Sequence, residues 1–404
     1  MDKAQVGNVT TPLPRREGQG GESTFDSIRP YNDDEVKEAI ESLLQDRQFS
    51  RILKAIVPIL PLGMSRGVLK LATLGIHSTL DFQLRFMKPV VNYILRKCST
   101  GHTFRHDGIT PGPDRYTFIS NHRDIVLDSA ILDVMLHDAK FPTTCEIAIG
   151  DNLLIYPWIR TLVRLNKAFI VRRNISRREL FESSLLMSRY MHHVIQEKRE
   201  NIWIAQREGR AKDSSDHTQE ALLKMLAMSD ADHPLERIKS LNLVPLSISY
   251  EYDPCDYLKA KEFQQKRDDA SWKKSKQDDL TNMKTGIFGK KGHVHYQTGR
   301  PVNEWIDELK DLDKSEFFAE LARRIDIEIY RNYRLFPGNY VAADLLANRP
   351  SHASQYTHKD KVTFEKYIKE RMALVDLSNR DEDFLRERLL TMYANPVLNY
   401  EKAR

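Results

Sequence analysis

The stretch from Ser120 to Asp128, SNHRDIVLD, contains a histidine and an aspartate at a spacing that suits proton transfer. On an ideal helix, two residues six positions apart point in directions that differ by about 240° around the helix axis. His122 and Asp128 therefore would not share one helical face. We therefore expect His122 in a strand-to-helix turn, with Asp128 reaching back from the helix that follows. The carboxylate could then bind one ring nitrogen and stabilise the imidazolium, while the other nitrogen takes a proton from a hydroxyl.

The same stretch contains the triplet His122-Arg123-Asp124, which also occurs in the catalytic loop of protein kinases. A kinase needs asparagine five residues after that aspartate, and here the position is Ser129. The kinase glycine-rich loop, strand lysine and DFG motif are missing from the sequence, as are a GxSxG elbow and a Walker A loop. The sequence therefore excludes a protein kinase and gives no support to a serine hydrolase or a P-loop enzyme.

From residue 115 onward, β-rich runs alternate with helical patterns, which favours an α/β fold with a mostly parallel central sheet flanked by helices. Strands are expected at 116–120, 145–149, 168–171, 201–205, 243–250 and 293–296. Helices are expected near 124–137, 152–165, 177–199 and 218–228. Because functional groups in such sheets collect beyond the carboxyl ends of the strands, the turn that carries His122 is placed at the functional edge.

Five short blocks of the sequence follow one another in the order typical of the glycerolipid acyltransferases. Asn121-His122 with Asp128 resembles the first block, the HxxxxD motif. The four later blocks are similar to residues 166–172 (NKAFIVR), 208–212 (EGRAK), 244–246 (VPL) and 295–301 (HYQTGRP). The resemblance covers about residues 100–335, and it implies the same α/β fold.

The resemblance also implies roles for particular residues. His122 would be the general base and Asp128 the group that orients it. Backbone amides beside Gly209 would bind the oxyanion of the tetrahedral intermediate, because glycine permits close approach of the backbone. The residues expected to bind substrate are Asn121, Arg172, Glu208, Gly209, Arg210 and Lys212. No metal site is predicted, because no histidine pair has further ligands at suitable spacing.

Two departures from the family pattern concern the acceptor. The second block opens with Asn166 where the family usually has glycine. The third block has Gln206-Arg207 before Glu208, where Phe-Pro is usual. These changes leave the His-Asp pair intact, so we expect them to affect which acceptor is bound.

The expected reaction is transfer of a fatty acyl group from acyl-CoA or an acyl-carrier protein to a hydroxyl of a glycerolipid-type acceptor such as lysophosphatidic acid, in membrane lipid biosynthesis and without a cofactor. One alternative acceptor is glycerol-3-phosphate, and another is a non-phosphate lipid alcohol such as an aminolipid. A second alternative is a non-catalytic module that binds lipid or carrier protein. The intact His122/Asp128 pair argues against that module, which has no need of it.

Composition limits where such an enzyme could work. The 404 residues carry 62 Lys and Arg against 57 Asp and Glu, a net charge of +5 that indicates no nucleic-acid partner. Three distant cysteines suggest neither a disulfide framework nor a zinc module, and no apolar signal segment is found near the start. The longest apolar stretch, 52–62, is too short to span a bilayer. We therefore expect a cytoplasmic enzyme that is peripheral on the cytosolic face of the membrane.

Four regions are expected along the chain. Residues 1–30 read as a disordered tail, because they are polar and rich in Gly, Pro and Thr. Residues 31–100 read as helical, either a membrane-contact element or a layer packed on the core. Residues 101–335 would form the catalytic core, with a charged insertion at 256–292 that is expected to be a solvated helix and loop. Residues 336–404 would be a C-terminal helical extension.

Overall fold

The structure, a computed structural model, describes residues 24–56, 73–173 and 175–404. Most of the predicted tail lies outside these ranges, but its last residues pack against the core. Ile28 is 1% exposed, and its carbonyl oxygen accepts a hydrogen bond from the backbone N–H of Ile170 at 2.9 Å. Arg29 pairs with Glu35 at 2.6 Å. The prediction of disorder is therefore wrong for 24–30, because a buried apolar side chain and an ion pair anchor this stretch.

A seven-stranded sheet forms the centre of the molecule, and it is mostly parallel, as predicted. The strands are β1 (Ser99–Arg105), β2 (Thr117–Ser120), β3 (Cys145–Gly150), β4 (Ala168–Val171), β5 (Asn201–Ala205), β6 (Leu243–Tyr250) and β7 (Gly292–Thr298). Their spatial order is β1-β7-β6-β2-β5-β3-β4. Strand β2 is parallel to both of its neighbours, β5 and β6. The turn after β2 therefore lies near the middle of the carboxyl edge of the sheet.

One end of the sheet runs the other way. Strand β7 is antiparallel to β6, and β1 is parallel to β7. The sequence analysis predicted the other six strands and missed β1, whose residues STGHTFR are mostly polar and partly exposed. Such a segment has few of the branched and aromatic residues that indicate a strand, so its pairing with β7 is decided by the tertiary structure.

Helices cover both faces of the sheet. They are α1 (Asp33–Gln45), α2 (Arg47–Ile56), α3 (Lys88–Cys98), α4 (Leu127–Asp138), α5 (Pro157–Leu165), α6 (Arg177–His193), α7 (Glu220–Leu226), α8 (Pro234–Ser240), α9 (Asp256–Asp268), α10 (Lys276–Phe288), α11 (Lys314–Arg331), α12 (Pro337–Ala347), α13 (His358–Ala373) and α14 (Glu382–Lys402). Ile119 and Ile202 face a core that includes residues of α6 and α11. Phe118 and Trp203 face the opposite core, with α3 and α4. This alternation is that of strands buried on both faces.

The apolar side chains of the N-terminal helical region are largely buried in the described part. Phe82 and Phe86, in a π-helical segment at Phe82–Met87, are 1% and 7% exposed and join a cluster with α1. Leu95 of α3 is 2% exposed. These side chains pack on the protein, so they are not available to insert into a bilayer, while the apolar segment 57–72 lies outside the described residues. Among the described helices, none has the length and apolar character needed to cross a membrane.

The charged insertion is built into the fold. Lys259 and Glu262 of α9 are 1% and 7% exposed, and Lys259 forms an ion pair with Asp253. Ala260 lies in an apolar cluster whose other buried members come from the C-terminal region, Val341 of α12 among them. The expectation of a solvated helix is therefore wrong for the inner face of α9, because the C-terminal helices cover it and its buried charges are paired, whereas residues 266–271 are exposed as expected.

Candidate active site

The turn between β2 and α4 is stabilised by hydrogen bonds to a side chain of the turn itself. Strand β2 ends at Ser120 and α4 begins at Leu127. One oxygen of the Asp124 carboxylate accepts hydrogen bonds from the backbone N–H groups of Val126 and Leu127 at 2.9 and 2.8 Å. Aspartate in this position satisfies amides at the start of a helix that would otherwise lack partners. Asp124 thus fixes where α4 begins, and with it the position of Asp128 in the first turn.

His122 and Asp128 form the pair that the sequence predicts. The Nδ1 atom of His122 lies 2.8 Å from Oδ2 of Asp128. The aspartate side chain is 0% exposed and the histidine side chain 12% exposed. Among the described residues no hydrogen bond engages Nε2 of His122, which leaves this nitrogen for a substrate. The geometry is that of an imidazole oriented by a buried carboxylate.

The spacing of the pair differs by one residue from the motif that it resembles. Five residues separate His122 from Asp128, whereas HxxxxD has four. The turn accommodates the additional residue, because Asp128 Oδ2 also accepts hydrogen bonds from the backbone N–H groups of Arg123 at 2.6 Å and Asp124 at 3.0 Å. The backbone of the turn therefore curves around the Asp128 carboxylate, and His122 still contacts Asp128 despite the additional residue.

Two tyrosines that the sequence analysis did not single out complete the surroundings of Asp128. Tyr250, the last residue of β6, donates its hydroxyl to Asp128 Oδ1 at 3.0 Å. Tyr296 of β7 donates to the backbone carbonyl of Asp128 at 2.9 Å. Burial raises the pKa of both phenols well above the usual value, so each remains a neutral donor. Only the pairing of β6 with β7 places these side chains beside α4.

Arg123 is a further residue whose role was not predicted. It donates from both Nη atoms to the carboxylate of Asp216, at 3.1 and 2.5 Å. The Tyr333 hydroxyl donates to the same carboxylate at 2.6 Å. Burial alone would lower the pKa of Arg123, but the carboxylate of Asp216 outweighs this effect and raises it. The arginine therefore remains charged inside the protein and ties the turn after β2 to the loop that carries Asp216.

Asn121 is placed inside the fold. Its side-chain amide accepts from the backbone N–H of Ile248 at 2.7 Å and donates to the carbonyl of the same residue at 2.9 Å. The residue is 0% exposed. In this arrangement Asn121 pins the turn to β6 and presents no free polar atom to a substrate.

The residues of the second and third blocks follow β4 and β5 at the same edge as His122. Arg172 is exposed after β4, which lies three strands from β2, or about 14 Å at ordinary strand spacing. Glu208 is 64% exposed and pairs with Arg173 at 3.1 Å. Gly209 has a φ of +68°, which favours glycine, and a side chain there would meet no atom within 4 Å. The space beside Gly209 is therefore open.

Arg210 and Lys212 turn toward the insertion. Arg210 Nη2 donates to Asn282 Oδ1 of α10 at 2.9 Å, whereas its Nη1 is buried and has no partner among the described residues. Burial would lower the pKa of Arg210, but the neighbouring Cys255 and Asp253 raise it instead. Lys212 forms an ion pair with Glu262 of α9. Arg210 thus has one buried donor without a hydrogen bond among the described residues, whereas Lys212 is paired with Glu262 of the protein itself.

The insertion also contacts the turn directly. A Cβ atom added at Gly286 of α10 would lie 2.1 Å from Asp124 Oδ2. Burial raises the pKa of the Asp124 carboxyl. Helix α10 thus packs on the same turn that carries His122, and the insertion forms a wall of the candidate site.

Comparison with known protein families finds a match, and it covers the part of the chain that carries this site. Residues 104–228 match the protein-family model described as Acyltransferase. The matched stretch includes β2 to β5, both members of the His122–Asp128 pair and all six predicted binding residues. This part of the chain is therefore similar to the acyltransferases.

A solved structure that is similar to this chain is the 1-acyl-sn-glycerophosphate (LPA) acyltransferase PlsC from Thermotoga maritima. The two share 13% sequence identity at a TM-score of 0.35, over 72% of this chain and 95% of that chain. No curated protein matches this chain.

Proposed function

We propose that the protein transfers a fatty acyl group from a thioester, acyl-CoA or acyl-carrier protein, to a hydroxyl of a glycerolipid-type acceptor. The observation that carries the proposal is the buried His122–Asp128 pair at the carboxyl edge of the sheet, within the stretch that is similar to the acyltransferases. A module that only binds lipid or carrier protein has no use for such a pair.

In the proposed reaction His122 Nε2 takes the proton of the acceptor hydroxyl as its oxygen attacks the thioester carbonyl carbon. Asp128 stabilises the imidazolium that forms. The tetrahedral intermediate then collapses, the C–S bond breaks, and the leaving thiolate takes the proton from His122. The products are an ester and a free thiol. The open space beside Gly209 suits an oxyanion that binds to backbone amides there.

The acceptor is proposed to carry an anionic headgroup like that of lysophosphatidic acid. Arg210 supports this choice, because its buried Nη1 lacks a partner and its charge is maintained. Glycerol-3-phosphate has the same phosphate chemistry and is the alternative acceptor. A neutral or aminolipid alcohol would leave this donor unsatisfied, so it is the less favoured choice.

A transfer assay tests the mechanism. Labelled acyl-CoA and acyl-carrier protein are offered with lysophosphatidic acid, glycerol-3-phosphate and an aminolipid alcohol. We expect His122→Ala to lower the rate by at least about 100-fold, because the general base is lost. His358→Ala, an exposed histidine at the start of α13, should leave it unchanged. Transfer that persists in His122→Ala would refute the role of the base, and no transfer by the unaltered protein would favour the binding module.

A peripheral position on the cytosolic face of the membrane is also proposed. Leu180 and Phe181 in the first turns of α6 are 53% and 58% exposed. Arg178 beside them has a side chain that is 90% exposed. Helix α6 begins shortly after β4 ends, so these residues lie toward the edge that carries His122. Exposed apolar side chains next to arginine suit an anionic bilayer surface.

Vesicle flotation tests this surface. We expect Leu180→Ser/Phe181→Ser to lower the fraction bound to anionic phospholipid vesicles at least about fivefold, because two apolar side chains no longer enter the bilayer. The matched control is Val362→Ser/Leu374→Ser, which removes side chains that are 50% and 51% exposed elsewhere. Equal binding by the two double variants would contradict the proposed surface.

A further inference from the structure

A cavity of about 180 Å³ lies between α11 and the segment after β7. One water molecule needs roughly 10–15 Å³ by the same measure, so the cavity has room for a polyatomic ion. Its lining residues are Arg300, Trp305, Arg323, Arg324, Ile327, Glu328 and Arg331. Four arginines and one glutamate therefore surround this space, which none of the blocks of the sequence identifies.

The ion pairs of these arginines leave an excess of positive charge. Glu320 pairs with both Arg323 and Arg324, and Glu308 pairs with Arg324. Glu328 lies 3.3 Å from Arg300 and 3.9 Å from Arg331. Four positive charges thus face three negative ones, and of the three carboxylates only Glu328 lines the cavity.

Several donors around the cavity also lack acceptors among the described residues. Arg300 uses its Nε and its backbone N–H on Glu328, and neither of its Nη atoms has a hydrogen bond. Arg323 uses Nε and Nη2 on Glu320, which leaves Nη1. The side chains of Arg300 and Arg323 are 61% and 60% exposed, so these Nη groups are open to an incoming anion, which would form charge-assisted hydrogen bonds with them.

The cavity lies away from the His122 edge. Val294, near the start of β7, pairs with Tyr250 at the carboxyl end of β6, whereas Thr298 at the end of β7 pairs with Leu246. Leu246 is level with Ser120 of β2, and Arg300 lies two residues beyond Thr298, so the chain there runs toward the amino ends of β2 and β6 and away from the turn of His122. An acceptor bound at His122 therefore does not account for it.

We propose that this cavity is a second binding site that takes a phosphate group, either as inorganic phosphate or as the headgroup of a phosphate monoester. Arginine N–H groups are donors, and a phosphate monoester supplies several strong acceptor oxygens with a charge of about −1.5 to −2 at pH 7. The site is independent of the proposed acyl transfer. Tyr333, two residues after the end of α11, donates to Asp216 behind the turn of His122, although binding itself does not require that connection.

Calorimetric titration with inorganic phosphate, against sodium chloride at equal ionic strength, tests the proposal. We expect saturable binding that Arg300→Gln/Arg323→Gln weakens at least about tenfold, since charge-assisted hydrogen bonds are lost. Arg85→Gln/Arg105→Gln is the matched control, because these arginines are 59% and 61% exposed, each is paired with one carboxylate, and neither lines the cavity.

Vesicles identify the source of the phosphate. The ligand is a lipid monoester if phosphatidic acid vesicles bind in a way that requires Arg300 and Arg323, whereas phosphatidylglycerol vesicles and free phosphate do not. If free phosphate binds in the same arginine-dependent way, the ligand is soluble. The proposal is overturned if neither probe distinguishes Arg300→Gln/Arg323→Gln from its control, with both variants showing the circular dichroism of the folded protein.

Discussion

At the scale of single residues, the carboxylate of Asp128 takes part in four hydrogen bonds. It accepts from His122, from two backbone N–H groups and from the hydroxyl of Tyr250. A buried carboxylate is tolerated only when it is satisfied in this way. Tyr250 therefore acts as a positioning residue for Asp128 and, through it, for His122.

Tyr250→Phe removes one hydrogen bond while keeping the ring. A hydrogen bond to a charged group contributes about 1.5–3 kcal/mol, so we expect the free energy of unfolding to fall by about that amount. We also expect kcat to decrease while KM changes little, because the base is misaligned and the acceptor site is not. Denaturant titration and steady-state kinetics measure the two effects. Tyr400→Phe, which removes a hydroxyl with no hydrogen bond among the described residues, should change neither, and an unchanged kcat in Tyr250→Phe would refute the positioning role.

At the scale of elements, the turn after β2 is held by chain segments distant in sequence. Asp216 receives Arg123 from the turn and Tyr333 from the segment after α11. Asn399 of α14 donates to the backbone carbonyl of Ser215 at 3.1 Å. The C-terminal helices therefore support the loop that anchors the turn, which gives the extension a structural task.

Asp216→Asn tests this anchor. The substitution leaves Arg123 charged and buried beside a neutral amide, and breaking a buried pair costs about 3–5 kcal/mol. We expect a loss of stability of that order in denaturant unfolding, and a lower kcat. Arg123→Gln/Asp216→Asn should be less destabilised than the sum of its single variants, because the unpaired charge is gone. Additive effects would contradict the coupling, and the exposed Asp311→Asn is the control.

At the scale of the whole molecule, the histidine His352 connects two of the C-terminal helices through ion pairs with their carboxylates. His352 lies 2.7 Å from Asp344 of α12 and 2.8 Å from Glu401 of α14, and Tyr356 donates to Asp344 at 2.8 Å. Burial would lower the pKa of His352, but the hydrogen bonds with the two carboxylates outweigh burial and raise it. The protonated imidazole therefore links α12 to α14.

This contact predicts a pH dependence of stability. A histidine whose folded pKa exceeds its unfolded value of about 6.5 stabilises fully below that value, and the contribution is lost as the pH rises through the folded pKa. We expect the melting temperature of His352→Gln to lie furthest below that of the unaltered protein at pH 5.5–6, with the gap closing above neutrality. Thermal melts from pH 5.5 to 9 measure it, with exposed His358→Gln as control. A gap that widens with pH would disprove the link.

How far the sequence predicts this molecule depends on how local each signal is. The six predicted strands and the turn of His122 were found from patterns within a few residues, and they are present. Strand β1 was missed, because its polar residues are ordered only by pairing with β7. The inner face of α9 was misjudged, because a run of charged residues predicts a solvated helix, whereas Lys259 and Ala260 are buried where the C-terminal helices pack.

The sequence by itself determined which residues could do chemistry and the order in which they occur. It placed His122 and Asp128 around a strand-to-helix turn, and local geometry alone brings them together. The tertiary structure decided what surrounds them: Tyr250 and Asp216 reach the turn from positions 122 and 93 residues away along the chain. Those contacts, and the arginine-lined cavity beside α11, depend on strand order and helix packing, which no local pattern encodes.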